Sequence, residues 1–175
     1  MQTIMITGCS SGFGLETARY FLEQGWKVIA TMRAPQEGVL PASDRLRLVR
    51  LDVTSAQSIA EAIAEVGEID VLVNNAGVGM LNALEGAPRE AIANLFATNT
   101  LGTIAMTQAV IPRFRERRSG TIVNITSAVT LQPMPLLAVY TASKAAVNAF
   151  TESLALELLA FNIRVGLILP GRRSE

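Results

Sequence analysis

The chain has 175 residues, zero net charge at pH 7 and 50% apolar residues, a globular composition long enough for one domain that buries about 70% of its unfolded surface. Neutral charge gives no electrostatic reason to seek nucleic acid or a membrane surface. Cys9 is the single cysteine and histidine is absent, which excludes an internal disulfide, zinc sites of the usual Cys/His kinds and a Ser-His nucleophile.

Short β-rich apolar runs alternate with longer segments of helical period, the pattern of βαβ units around a parallel sheet. The first strand is expected at Thr3 to Ile6, followed by a glycine turn and a helix from about Gly14 to Gln24 that Gly25 closes. Lys27 to Met32 reads as the second strand and Arg45 to Leu51 as the third, with Thr54 or Ser55 capping a helix to about Val66. Val71 to Asn74 has the uninterrupted apolar character of a central strand. A long helical stretch from about Pro88 to Arg117 is interrupted near Asn99 to Gly102. Thr121 to Ile125, Ala138 to about Leu159 and Arg164 to Leu169 complete the series as strand, helix and strand. No charged leader precedes an apolar stretch, and no apolar run approaches the ~20 residues that span a bilayer. The expected compartment is the cytoplasm.

Gly8-Cys9-Ser10-Ser11-Gly12-Phe13-Gly14 falls at the first strand-to-helix junction. Glycines there let the backbone approach a pyrophosphate while the helix N-terminus offers N–H donors and positive potential. The spacing is Gly-x-x-x-Gly-x-Gly, and no lysine follows the last glycine, which excludes a Walker A loop. The bland alternative is a turn that merely joins strand to helix. Cys9 needs no role beyond filling space. Arg33, at the end of the second strand, stands where an acid would bind a ribose 2′-hydroxyl; an arginine pairs instead with a 2′-phosphate, so NADP(H) is favoured over NAD(H). Asp52 is placed to accept from an adenine amino group, or simply to cap a turn. Arg113, Arg115, Arg117 and Arg118 read as solvated charges complementing a helix C-terminus.

Only two tyrosines and two lysines occur in the chain, yet Tyr140 and Lys144 stand four residues apart, with Ser127 thirteen residues before the tyrosine. On a helix that spacing puts phenol and ammonium on one face. A free phenol titrates near pH 10, so acid/base work near neutrality calls for a neighbouring cation.

Together, Thr7-Gly8-x-x-x-Gly12-x-Gly14, Asn74-Asn75-Ala76-Gly77, Asn99-Thr100-Leu101-Gly102, Ser127, Tyr140-x-x-x-Lys144 and Pro170-Gly171 resemble the classical short-chain dehydrogenase/reductase family, in family order and over nearly the whole chain. The glycine loop with Arg33 looks most like the branch holding retinol and 17β-hydroxysteroid dehydrogenases. The resemblance implies a doubly wound, Rossmann-type three-layer α/β/α fold with strand order 3-2-1-4-5-6. It implies a tetrad of Asn99, Ser127, Tyr140 and Lys144: Tyr140 exchanges a proton with the substrate oxygen, Ser127 polarises that oxygen, Lys144 also binds the nicotinamide ribose, and Asn99 holds a water. It further implies cofactor contacts from Gly8, Ser10, Ser11, Gly12, Phe13 and Gly14, from Asp52 and Val53 at the adenine, from Asn74, Ala76 and Gly77 beside the adenine ribose, from Pro170 and Gly171 near the nicotinamide, and from Tyr140 and Lys144 themselves. Ala128 to Leu137 is expected to wall a cleft for a hydrophobic alcohol, ketone or aldehyde.

Family members continue past the Pro-Gly motif, whereas Arg172-Arg173-Ser174-Glu175 carries no strand or helix signal. The expectation is a single domain over 1–175, truncated after strand six with the seventh strand missing and an edge that invites a homodimer or homotetramer. Beside a dehydrogenase, the alternatives are a nucleotide-binding module without turnover, for want of a substrate lid, and a subunit that contributes mainly an interaction surface.

Overall fold

In the computed structural model, which describes residues 1–171, the apolar runs become six parallel strands: β1 (Thr3–Ile6), β2 (Lys27–Met32), β3 (Leu46–Arg50), β4 (Val71–Asn74), β5 (Gly120–Ile125) and β6 (Ile163–Ile168). Their order is β3-β2-β1-β4-β5-β6, as the family resemblance implies. The expectation for Arg172 to Glu175 lies outside the described residues.

The helices are α1 (Gly12–Glu23), α2 (Ala56–Val66), α3 (Arg89–Phe96), α4 (Gly102–Arg117) and α5 (Ala138–Leu158). Apolar side chains on both faces of each central strand demand cover on both sides. Ala18 and Leu22 of α1 pack with Ile4, Ile6, Val28 and Val73 on one face. Ile59 and Ile63 of α2, Met106, Val110 and Phe114 of α4 and Leu154 and Leu158 of α5 cover Met5, Ile29, Leu72 and Ile122 on the other. None of the described helices is long and apolar enough to cross a membrane.

Ser55 caps α2 by accepting from the Ser58 N–H at 3.2 Å, the role its position predicts. The interruption expected near Asn99 to Gly102 is a π-helical turn, Ala97–Leu101, between α3 and α4. A turn of that kind carries one extra residue and is frequent at functional sites.

The arginines at the end of α4 are exposed, with Arg117 half-buried, in line with the solvated reading, and they also make contacts which that reading leaves out. Arg113 donates to the carbonyls of Ile63 at 3.1 Å and Gly67 at 2.7 Å, and Arg117 donates to those of Ile69 and Ser119. Arg118 donates to Ala160 at 2.7 Å, and Arg115 lies 4.0 Å from the Phe161 ring centroid. Carbonyls left open where elements end need donors, and three flexible guanidinium stems within reach, those of Arg113, Arg117 and Arg118, supply them. These side chains tie loops together at the end of the sheet opposite the cleft.

Candidate functional site

The C-terminal ends of parallel strands leave a crevice where the strand order reverses, here between β1 and β4. A cleft of about 820 Å³ opens there. Gly8, Ser10, Ser11, Gly12 and Phe13 form its floor at the start of α1, and Arg33, Asp52 and Val53 close one end. Ala76 and Gly77 line the middle, with Ser127, Tyr140, Lys144, Pro170 and Gly171 at the far end.

The glycine loop is shaped by contact with β4. Gly8 has φ +73, and a Cβ on it would stand 2.8 Å from Ala76 Cα; a Cβ on Gly14 would stand 2.3 Å from the Gly8 carbonyl oxygen. Only glycine fits both places. Thr7 Oγ1 accepts from the N–H groups of Asn75 at 3.0 Å and Ala76 at 2.9 Å. Asn75 Nδ2 donates in turn to the carbonyls of Thr7 at 2.9 Å and Gly8 at 3.1 Å. The Ser11 side chain makes no cap hydrogen bond to α1, so the first-turn N–H donors face the cleft without that competitor. The residues present fit a dinucleotide pyrophosphate.

Cys9, within this loop, is buried, and burial pushes its thiol up to about 12; it is a filler, as its size suggests. Asp52 accepts from the Thr54 N–H at 2.9 Å and hydroxyl at 2.7 Å, the turn-capping role, while also lining the cleft. Those bonds, and the charges of Arg33 and Arg50, hold its carboxyl below the usual range.

At the other end β5 presents Ser127 just past its last residue, and the first turns of α5 present Tyr140 and Lys144. Lys144 is only 5% exposed and donates to the Ile125 carbonyl at 3.0 Å. Burial lowers its ammonium from 10.5 to about 8. Ser127 Oγ accepts from the Val129 N–H at 3.4 Å.

Three expected positions sit differently. Gly14 is buried behind the loop rather than lining the cleft. Asn74 is 3% exposed and points into the core, where Nδ2 donates to Thr107 Oγ1 at 3.0 Å and Asn124 Oδ1 at 2.8 Å; its neighbour Asn75 faces the cleft instead. Asn99 lies 1% exposed behind the cleft wall. Its Oδ1 accepts from the Val78 N–H at 2.8 Å, and Nδ2 donates to the Val78 carbonyl at 2.9 Å and Ser143 Oγ at 3.1 Å. Both amide donors are thus taken by protein groups.

Residues 128–137 do not line the cleft. The 3₁₀ turn Ala128–Thr130 leads the chain on from Ser127, and Leu131, Met134 and Leu136 on this segment are exposed. Leu136 has φ 65, a conformation costing about 1–2 kcal/mol for an L-residue. Its carbonyl accepts from the Asn82 N–H at 3.0 Å, which joins this loop to the one carrying the exposed Leu81 and Leu84.

Sequence reasoning placed Thr7 and Asn75 within motifs but not their mutual bonding, and missed Ser143, which directly precedes Lys144; these bonds depend on side-chain direction.

A family model described as short chain dehydrogenase matches residues 2–173. The chain belongs to the short-chain dehydrogenase family. This short-chain dehydrogenase is 42% identical over 182 positions to retinol dehydrogenase 8 of Bos taurus, a match covering 97% of the chain and 58% of the relative. It is also 42% identical over 174 positions to 3-ketodihydrosphingosine reductase of Bacteroides thetaiotaomicron, covering 97% and 63%. The chain therefore spans about three-fifths of the length of these curated relatives. A crystal structure of a short-chain dehydrogenase from Streptomyces avermitilis superposes with a TM-score of 0.92 at 35% identity, over 99% of this chain and 68% of the other. Similar solved structures include complexes with NADP+ and with NADH.

Proposed function

We propose that the chain carries the nucleotide site and reactive groups of an oxidoreductase that uses NADP(H) to interconvert a hydrophobic secondary alcohol and its ketone, or an aldehyde. The observation that carries this reading is the meeting of Ser127, Tyr140 and Lys144 in the same cleft as the glycine loop. The nicotinamide, when bound, supplies or accepts the hydride. Tyr140 donates or removes the proton at the substrate oxygen, and the Ser127 hydroxyl, itself accepting from Val129, points its own O–H at that oxygen as charge develops there.

Lys144 spends one N–H on Ile125; its remaining donors serve the nicotinamide ribose, and its charge favours the phenolate. Asn99 locks the Val78 segment against α5 through Ser143. Its backbone carbonyl, at the π turn, accepts from Thr103 Oγ1 at 3.0 Å, and the expected water falls to this carbonyl because the side-chain donors are taken. Ser10 to Phe13 and Gly8 take the pyrophosphate, Asp52 and Val53 the adenine, Ala76 and Gly77 the adenine ribose, and Pro170 and Gly171 the nicotinamide.

Arg33, at the mouth of the cleft, supports NADP(H) over NAD(H). Exposed leucines on the segments that run on from cleft-lining Gly79 and Ser127, at 71% for Leu81 and 76% for Leu131, support an apolar substrate, and the names of the matched retinol dehydrogenase and 3-ketodihydrosphingosine reductase point the same way. The proposal extends to self-association as a homodimer or homotetramer. Fluorescence titration with NADPH and NADH, followed by NADPH oxidation against a panel of hydrophobic ketones and aldehydes, tests the reading. Tighter NADPH binding and turnover support it; binding without turnover of any member assigns a nucleotide-binding module instead.

A further inference from the structure

The outer end of the cleft holds more positive charge than one arginine. In the parallel pairing of β2 with β3, Met32 is the register partner of Arg50, and β3 ends at that residue. Register partners on neighbouring strands lie about 4.8 Å apart and project to the same face of the sheet. Met32 packs on the face that α1 covers, as does Leu48, two residues before Arg50. Arg50 therefore projects to the α1 face of the sheet and stands next to Arg33 at the strand ends; Arg33 lines the cleft, and Arg50 directly precedes its lining residues Leu51 and Asp52.

Both guanidinium groups are uncommitted. The arginine ion pairs among the described residues involve Arg19, Arg45, Arg47 and Arg117. Arg47, on the opposite face of β3, pairs with Glu65 of α2 at 2.9 Å, whereas Arg33 and Arg50 are exposed and pair with nothing described. The nearby carboxylate, Asp52, already accepts two hydrogen bonds from Thr54. Its carboxyl is held below the usual range first by those bonds and in smaller part by the charges of Arg33 and Arg50, in keeping with the adjacency that the strand register gives these two arginines. A lone carboxylate does not neutralise two cations, and a dianionic phosphate monoester does, with oxygens enough for two forked donors.

We propose that Arg50 is a specificity-determining residue that joins Arg33 in binding the 2′-phosphate of NADP(H). The inference rests on the NADP(H) reading above and adds a residue from a different strand to it. With the phosphate held between the ends of β2 and β3, discrimination against NAD(H) is shared between two guanidinium groups, and removing one leaves part of it.

Titration of NADPH, NADH, 2′,5′-ADP and 5′-AMP against wild type, Arg50→Gln, Arg33→Gln and the double variant tests this, with thermal melting to show that each exposed substitution leaves the fold intact. The expected result is that Arg50→Gln weakens NADPH and 2′,5′-ADP about tenfold, leaves NADH and 5′-AMP within about twofold, and that the double variant is weaker than either single one. A wild type that prefers NADPH with an Arg50→Gln variant that binds it equally well overturns the role of Arg50 and leaves the cofactor reading standing. Equal loss of NADPH and NADH in Arg50→Gln also overturns it. A wild type indifferent to the 2′-phosphate removes both.

Discussion

Lys144 is held by the backbone carbonyl of Ile125 at 3.0 Å, with no carboxylate among the described residues paired to it. Its burial is therefore a cost to the folded state, and the cost depends on pH. The unfolded chain keeps the lysine proton up to 10.5, the folded chain only to about 8. Between those values the unfolded state binds more protons, so stability rises with pH; below about 8 the cost is at its full size. The gap corresponds to about 3 kcal/mol. Denaturant unfolding of wild type and Lys144→Met from pH 7 to 10 should show wild type gaining on the variant above pH 8, and a constant difference contradicts the assignment.

Tyr140 supplies the proton in the proposed reaction and contributes little to the nucleotide cradle. Tyr140→Phe should lower turnover by about 10² to 10⁴ while changing the dissociation constant for NADPH by less than about twofold. Stopped assays with the carbonyl panel and direct titration separate the two effects, and unchanged turnover removes Tyr140 from the chemistry.

Gly8 combines a left-handed φ of +73 with a missing Cβ that would meet the Ala76 backbone at 2.8 Å. Gly8→Ala should cost about 2–4 kcal/mol from the two effects together, and should weaken NADPH and NADH alike because the loop moves off the pyrophosphate. A melting temperature and both affinities equal to wild type would show that the loop can yield to the added methyl group.

Asn99 spends its whole amide on Val78 and Ser143. Asn99→Ala should cost about 2–3 kcal/mol for the bonds lost and speed hydrogen exchange at the Val78 amide. Asn99→Asp, which keeps the acceptor, should leave Val78 better protected than the alanine does.

The strand and helix sequence was legible because the central strands are short, largely apolar runs and the first two helices carry a stop or cap, Gly25 and Ser55, where their chemistry requires. The cleft residues were legible for a different reason: glycine loop, Ser127 and Tyr140-x-x-x-Lys144 follow strand ends that the fold brings to one edge. What stayed hidden is direction. Asn74 and Asn75 are equivalent in the sequence, and β4, buried on both faces, gives no alternation from which to decide which of them enters the core. Arg50 was hidden likewise, since its nearness to Arg33 exists only through the register of two strands separated by a loop. The contacts of the α4 arginines were hidden because the carbonyls they satisfy belong to other elements.

The core placement of Asn74 has a consequence for how the sheet assembles. Asn74 on β4 is the register partner of Asn124 on β5, and Asn124 passes the chain of bonds to Thr151 of α5 at 2.8 Å. Strands that are apolar on both faces slide past one another with little loss of burial, so their hydrophobic pattern alone says little about alignment. A shift of one residue between β4 and β5 would leave two amides in a dry interior facing methyl groups, an error costing several kcal/mol. The pair acts as an indexing pin: it fixes how far β5 extends beyond β4, and hence the height at which Ser127 emerges opposite Tyr140.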